Sequence, residues 1–381
     1  MAIALPITAC NVTGSAPPPP PSGHIVADEP QAALAGREAL LAGGNAADAA
    51  AAAALTMAVT LPSRVGLLGG GVCLAYDPVT KAVRTLDFLP RSGSGGVALP
   101  GLLRGLYALQ GTYGKLRWEK LTALAENTAR DGAPLSRALA QDLREAAPTL
   151  AQDPQARQVW LAGGTTAPAE GTRLAQPDLA QLLSQVRRQG VAAVHGGALA
   201  GTLASGIGAS AEALRGWQPA WRDALQLESG VDALHVAGFD GDGSAGWRAA
   251  AAARGGDRLS RLAEALGRAP AAHPPAVPGA TVAVIDSGDY AVACTLTMGG
   301  PFGTGRMVPG TGLFAARPTE AAGVGGPALL VNHNVGSVRF AGAAATDRLS
   351  HIACTLDDHQ HKRCQGAADP RGGGLVTRAD R

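Results

Sequence analysis

The stretch GGNAADAAAAAALTMAVTLPSRVGLLGGGVCLAYD, residues 43–77, decides how this chain folds. Gly43 and Gly44 form a helix C-terminal signal that closes the helical periodicity of Gln31–Leu41. Asn45 then stands where a second helix needs its N-cap, and Asp48 falls in that helix's first turn, where a negative charge meets the positive end of the dipole. Beyond them the segment is nearly pure alanine as far as Leu55, Met57 and Val59. A helix with small side chains on every face lets other elements approach its axis from all sides, so the pattern predicts a buried helix. Pro62 ends it. GLLGGG (66–71) leads into an apolar strand, Val72–Tyr76, the turn Asp77-Pro78 and a second strand, Ala82–Phe88. A helix followed by a hairpin is not the strand, loop and helix that a nucleotide fingerprint requires.

Composition sets the remaining bounds. With 381 residues, 46% of them hydrophobic, the chain can bury a large core as one big domain or two smaller ones. Only 4% of residues are aromatic while 52 are glycine, so the core must be built from Ala, Leu and Val with closely packed backbones. A net charge of +2, with no Lys/Arg run, excludes a phosphate-tracking surface, and no nucleic-acid partner is expected. No apolar run reaches the roughly 18 residues of a membrane-spanning helix.

Further along, residues 100–145 read as helices around Tyr113–Trp118. Asp178–Gln189 is amphipathic and ends at Gly190, and residues 191–204 are expected to continue helically. Another helix is expected from about Trp247. Thr281–Asp286 and Ala291–Thr297 read as a second strand pair across the turn Ser287-Gly288-Asp289. Helices first, a hairpin on each side of the middle, and helices again suggest sheets layered between helices.

Several short motifs carry little. GDGSAG (241–246) matches G-x-G-x-x-G without a strong strand before it or an acidic partner after it. DGDGS (240–244) opens like a calcium loop, but Ala245 and Ala251 replace its glycine and its closing acid. Cys73 and Cys294 lie in strand-like apolar contexts and read as buried thiols. In CTLDDHQHKRC (354–364), Cys354, His359, His361 and Cys364 form either a soft-metal cluster at an unusual spacing or a flexible polar tail. Histidines 195, 235 and 273 are scattered singly and read as core or surface residues. No cofactor or metal is expected. Near the start, Ile7-Thr8-Ala9-Cys10 resembles the cleavage box of bacterial lipoproteins, and Pro17–Pro21 reads as an extended spacer. The alternatives are membrane attachment through Cys10, placing the protein in the periplasm or cell envelope, and an ordinary N-terminal tail.

Residues 36–77 as a whole, GREALLAGGNAADAAAAAALTMAVTLPSRVGLLGGGVCLAYD, resemble the γ-glutamyltranspeptidase family, whose N-terminal hallmark is G-G-N-A-x-D-A between two helices and ahead of a Gly-rich turn. The resemblance continues through residues 99–136, 176–200 and 280–314, in the family's order. It implies an α+β fold, the four-layer αββα sandwich of N-terminal-nucleophile hydrolases. It also implies a proenzyme that cleaves itself before a threonine, whose hydroxyl then attacks γ-glutamyl amides of glutathione-like peptides. That pattern makes 24–278 a large-subunit-like region and 279–381 a truncated small-subunit-like region of the same domain, with residues 1–23 ahead of them as the truncated lipoprotein signal and Pro-rich spacer if Cys10 is an attachment site.

The chemistry does not transfer intact. The family's nucleophile begins T-T-H-x-S-V-V-D, and alignment on Asp286 puts Gly279 in the nucleophile's place, with Thr281 as the nearest hydroxyl. Two residues along a strand keep a side chain on one face but move it roughly 6–7 Å. Thr297 matches the threonine that supports the nucleophile, the asparagine expected two residues later is Gly299, and Arg91 and Glu320 are the nearest candidates for binding the substrate's carboxylate and amine. The paired serines of the family's oxyanion region have no counterpart in PALLV (327–331), and the usual closing strands are expected to be nearly absent, with only 341–346 remaining. Two readings follow: a γ-glutamyltransferase-like enzyme using Thr281, or a non-catalytic binding protein on the same scaffold.

Overall fold

The computed structural model describes residues 23–229, 231–238, 279–320, 326–344 and 376–378. The expectations for Cys10, Pro17–Pro21, the helix from Trp247, residues 240–246, His273 and the 354–364 cluster fall outside them.

The chain opens with strand β1 (Gly23–Ala27), helix α1 (Pro30–Leu41) and helix α2 (Ala46–Thr60). Asn45 caps α2 as expected: its side chain accepts from the Ala47 and Asp48 N–H groups, and its own N–H donates to Asp48. Every residue of α2 is buried. Asp48 also accepts from the backbone N–H groups of Lys115 and Leu116, tying the loop after α3 (Leu102–Tyr113) to the start of α2. The hairpin β2 (Gly70–Asp77) and β3 (Ala82–Asp87) follows. At Gly70 a Cβ would lie 2.2 Å from the Phe88 carbonyl oxygen, so the glycine run serves close backbone approach.

Helices α4 (Trp118–Asp131), α5 (Arg137–Leu150), α6 (Pro154–Trp160) and α7 (Pro177–Gln189) come next, with a small ribbon of β4 (Ala133–Pro134) and β5 (Arg173–Leu174). The stretch after Gly190 is not one helix. It breaks at Gly196-Gly197 into α8 (Ala192–His195) and α9 (Ala200–Ile207), and α10 (Ala211–Gly216) succeeds them.

Strands β6 (Ala220–Asp223), β7 (Leu225–Ser229) and β8 (Asp232–Val236) precede the second hairpin, β9 (Gly279–Asp286) and β10 (Ala291–Thr297). A short ribbon, β11 (Met307–Val308) with β12 (Leu313–Phe314), leads to β13 (Gly326–Asn332), β14 (Ser337–Ala344) and β15 (Val376–Arg378). Two main sheets result. The first has the order β1-β9-β10-β2-β3-β6 and the second β15-β14-β13-β8-β7. The expectation that only 341–346 remains of the closing strands needs correction: β14 spans Ser337–Ala344 and pairs with β15, Val376–Arg378, while PALLV lies in buried β13.

On one face of the first sheet Ala280, Val282, Val284, Cys294 and Leu296 join the core that contains α2. On the other, Leu74, Tyr76, Ala283 and Ala293 meet Leu329, Val331, Val338 and Ala341 of the second sheet. The helix face carries a correction: Cys73 and Cys294 are buried but are not free thiols, being joined as a disulfide between in-register residues of β2 and β10. Opposed residues of antiparallel strands lie within the span a disulfide bridges.

Candidate active site

Asp286 shows what the N-terminal hallmark does structurally. Its carboxylate accepts from Ala46 N–H (3.1 Å), Gly288 N–H (2.7 Å) and Tyr290 N–H (3.1 Å). The start of α2 is thereby locked to the turn between β9 and β10, which fixes where the other end of β9 lies. Burial pushes the Asp286 carboxyl up, against the opposing pull of those three hydrogen bonds and of Lys115.

At that other end a row of side chains crosses the inner face of the first sheet. Reading across register, it is Asp28, Thr281, Thr295, Val72 and Asp87. Thr281 is buried and donates its hydroxyl to Asp28 Oδ2 at 3.1 Å, while its N–H reaches the same oxygen at 2.8 Å. Its carbonyl accepts from Asp28 N–H. Both backbone groups of Thr281 thus point towards Asp28, so those of Ala280 point the other way, into the β10 ladder where Ala280 pairs with Leu296. The Ala280–Thr281 peptide is held from both sides. Thr295 Oγ1 beside it is fully buried and has no partner among the described residues.

The second row holds Gly279, Thr297 and Gly70. Thr297 faces Gly279 directly and accepts from Gly299 N–H at 3.0 Å. Arg91 forms an ion pair with buried Asp87, which Arg222 also approaches at 3.8 Å. Thr319 N–H donates to the Pro90 carbonyl at 3.0 Å, so Arg91 and exposed Glu320 each lie one residue beyond a direct backbone contact. The Arg91 and Glu320 segments thus meet through Pro90 and Thr319, and Gly279 and Thr297 face each other on neighbouring strands. Thr281 lies apart from the Arg91 ion pair: the Asp87 that holds Arg91 is three strand spacings, about 14 Å, along the row from it. Asp28 escaped notice, although the β-branched pair Ile25-Val26 before it was a signal for an edge strand.

Residues 32–95 and 88–250 match the family model described as gamma-glutamyltranspeptidase. The chain belongs to the γ-glutamyltranspeptidase family. Among curated relatives of this γ-glutamyltranspeptidase-family chain, glutathione hydrolase 7 of Bos taurus is 33% identical over 160 residues, covering 38% of this chain and 24% of the relative. The glutathione hydrolase proenzyme of Bacillus subtilis (strain 168) is 28% identical over 173 residues, covering 39% and 29%. The chain thus spans about a quarter of the length of the glutathione hydrolase 7 relatives it matches. Two solved structures share the fold. Cephalosporin acylase from Bacillus halodurans superposes with a TM-score of 0.72 at 17% identity, covering 93% of this chain and 85% of that one. Helicobacter pylori γ-glutamyltranspeptidase gives 0.57 at 20% identity, covering 68% and 82%. The fold is the α+β, αββα sandwich of N-terminal-nucleophile hydrolases, and the described residues supply its two sheets and one helical layer.

Two positions of the family pattern are sterically closed to the residues it carries there. A Cβ at Gly279 would lie 2.7 Å from the Leu296 carbonyl oxygen. Gly299 has φ +74°, and its Cβ would lie 2.3 Å from the Arg317 carbonyl oxygen and 2.7 Å from Thr319 Oγ1. An asparagine there has no room unless the 317–319 segment moves.

Proposed function

We propose that this chain is a member of the γ-glutamyltranspeptidase family that works as a single uncut polypeptide and binds γ-glutamyl peptides or amino-acid-like small molecules without the family's self-processing. The family reaction is transfer or hydrolysis of γ-glutamyl groups, and the altered site is why binding rather than turnover is the preferred reading. One observation carries it: the hydroxyl of Thr281 is buried and engaged by Asp28, and the peptide before it sits in a continuous ladder. Attack by that hydroxyl on the Ala280 carbonyl would need both hydrogen-bonded sides of β9 to open. Reaction geometry tolerates errors of only about 1 Å, and neither Gly279 nor Gly299 supplies a replacement group.

The arrangement of residues 1–23 as signal and spacer, 24–278 as large-subunit-like and 279–381 as small-subunit-like is part of this reading. So is an envelope location, with attachment through Cys10. The Cys73–Cys294 disulfide supports it, because such bonds persist in oxidising compartments.

A second reading, cleavage before Thr281 followed by γ-glutamyl transfer, draws on the contact between the Thr281 hydroxyl and a carboxylate that could take its proton. Titration calorimetry with glutathione and with L-glutamate, beside an assay for release of the γ-glutamyl group, separates the two. Saturable heat without product release supports the binding protein. Release of product, or no heat from any γ-glutamyl compound, overturns it.

A further inference from the structure

His235 on β8 and His333 in the turn between β13 and β14 meet nitrogen to nitrogen, with Nε2 atoms 2.8 Å apart and ring centroids 5.0 Å apart. The rings point nearly head-on, so one Nε2 carries the hydrogen and the other presents its lone pair. His235 is 3% exposed, whereas His333 is partly open to water. Under the same turn lies the buried Tyr76 hydroxyl, without a hydrogen-bond partner among the described residues. The Tyr76 ring meets the edge of His333 at 6.2 Å.

We propose that the His235–His333 contact is an acid-sensitive clasp that holds the β13–β14 turn onto β8 above Tyr76 and lets go when both imidazoles are protonated. A neutral or singly protonated pair keeps one N–H···N bond. A doubly protonated pair places two N–H groups and two positive charges head-on. Burial first, and then the neighbouring His333, push the His235 imidazole down to about 4.

The charged groups around the clasp come from several elements. Lys81, in the turn before β3, donates to the His333 carbonyl at 3.2 Å and adds to the repulsion. Asp289, between β9 and β10, accepts from Val338 N–H at 3.4 Å and also acts on Tyr76, as does Asp77 at the end of β2. Arg339 on β14 approaches Asp232 on β8 at 4.0 Å. Opposite His235, β7 presents Gln226, bonded to Glu228, and β13 presents Leu329.

Hydrogen exchange read by mass spectrometry tests the clasp on the full chain. After correction for intrinsic rates, amides of 332–338 are expected to lose at least about tenfold protection between pH 6.5 and pH 4.5 and to exchange faster than α2 amides at both pH values. His333→Phe should remove that step, and Asp289→Asn should retain it. Equal protection at both pH values, exchange of 332–338 no faster than that of α2, or a step abolished only by Asp289→Asn would each overturn the proposal. The wild-type comparison stands even where a variant fails to fold.

Discussion

Asp286 accepts a hydrogen bond from the N–H of Ala46, 240 residues earlier in the chain. That contact joins the capped start of the alanine helix to the turn that orients β9, and so couples the family's N-terminal hallmark to the candidate site at the far end of the strand.

Asp286→Ala leaves the N–H groups of Ala46, Gly288 and Tyr290 without their acceptor. Buried donors left unpaired cost about 1–3 kcal/mol each, and partial rehydration lowers the sum. Urea unfolding should show a loss of at least about 2 kcal/mol, with a smaller loss for Asp286→Asn, which keeps an oxygen acceptor.

The pair Asp28 and Thr281 should behave as a structural link. Thr281→Val removes one hydroxyl donor and should lower stability by about 1 kcal/mol. Asp28→Ala removes the acceptor for both the hydroxyl and the N–H and should cost more. A double-mutant cycle by urea titration should give a coupling of about 1 kcal/mol, as contacting pairs do.

The Cys73–Cys294 bond closes a sequence separation of 221 residues. On the chain-entropy account a loop of that size stabilises by about 5 kcal/mol, with measured values often lower. Replacing both cysteines by alanine should lower the thermal midpoint clearly. Because both residues are buried, a mild reductant should act on the native protein only slowly.

His195 gives the protein a defined pH dependence. It is 1% exposed, its Nδ1 meets the Leu214 carbonyl at 3.1 Å, and burial with the nearby Arg104 charge pushes it down to about 4. Its folded value lies below the unfolded value of about 6.5, so the unfolded chain takes up the proton first as pH falls. Stability should therefore decline from about pH 6.5 and level off near pH 4, by about 3 kcal/mol for this group. In urea titrations run across pH, His195→Gln should remove this group's share of the decline and leave the share that His235 contributes.

The elements that were legible in sequence are those with local signals. Asn45, Asp48, Gly43 and Pro62 bracket α2, and the turns at 77–78 and 287–289 bracket the two hairpins, because caps and turns are decided by neighbours in the chain. The second sheet was harder to read. β7 and β8 are five residues each, and β13 opens with Gly-Pro, which reads as a loop, so their strand character comes from pairing with one another within the second sheet. The disulfide and the Asp28–Thr281 link were invisible for the same reason: each joins residues more than 200 positions apart. At the site, sequence alignment located Gly279, Thr297 and Gly299, but the clash that a side chain at Gly299 would meet depends on where residues 317–319 run.

The central claim, that this member of the family is not cut at its nucleophile strand, is tested most directly by intact-mass analysis of the purified protein, reduced and denatured after prolonged incubation at neutral pH. The account predicts one species with no break between residues 278 and 282. Two fragments corresponding to residues 1–280 and 281–381, appearing in wild type and absent from Thr281→Ala, would contradict it.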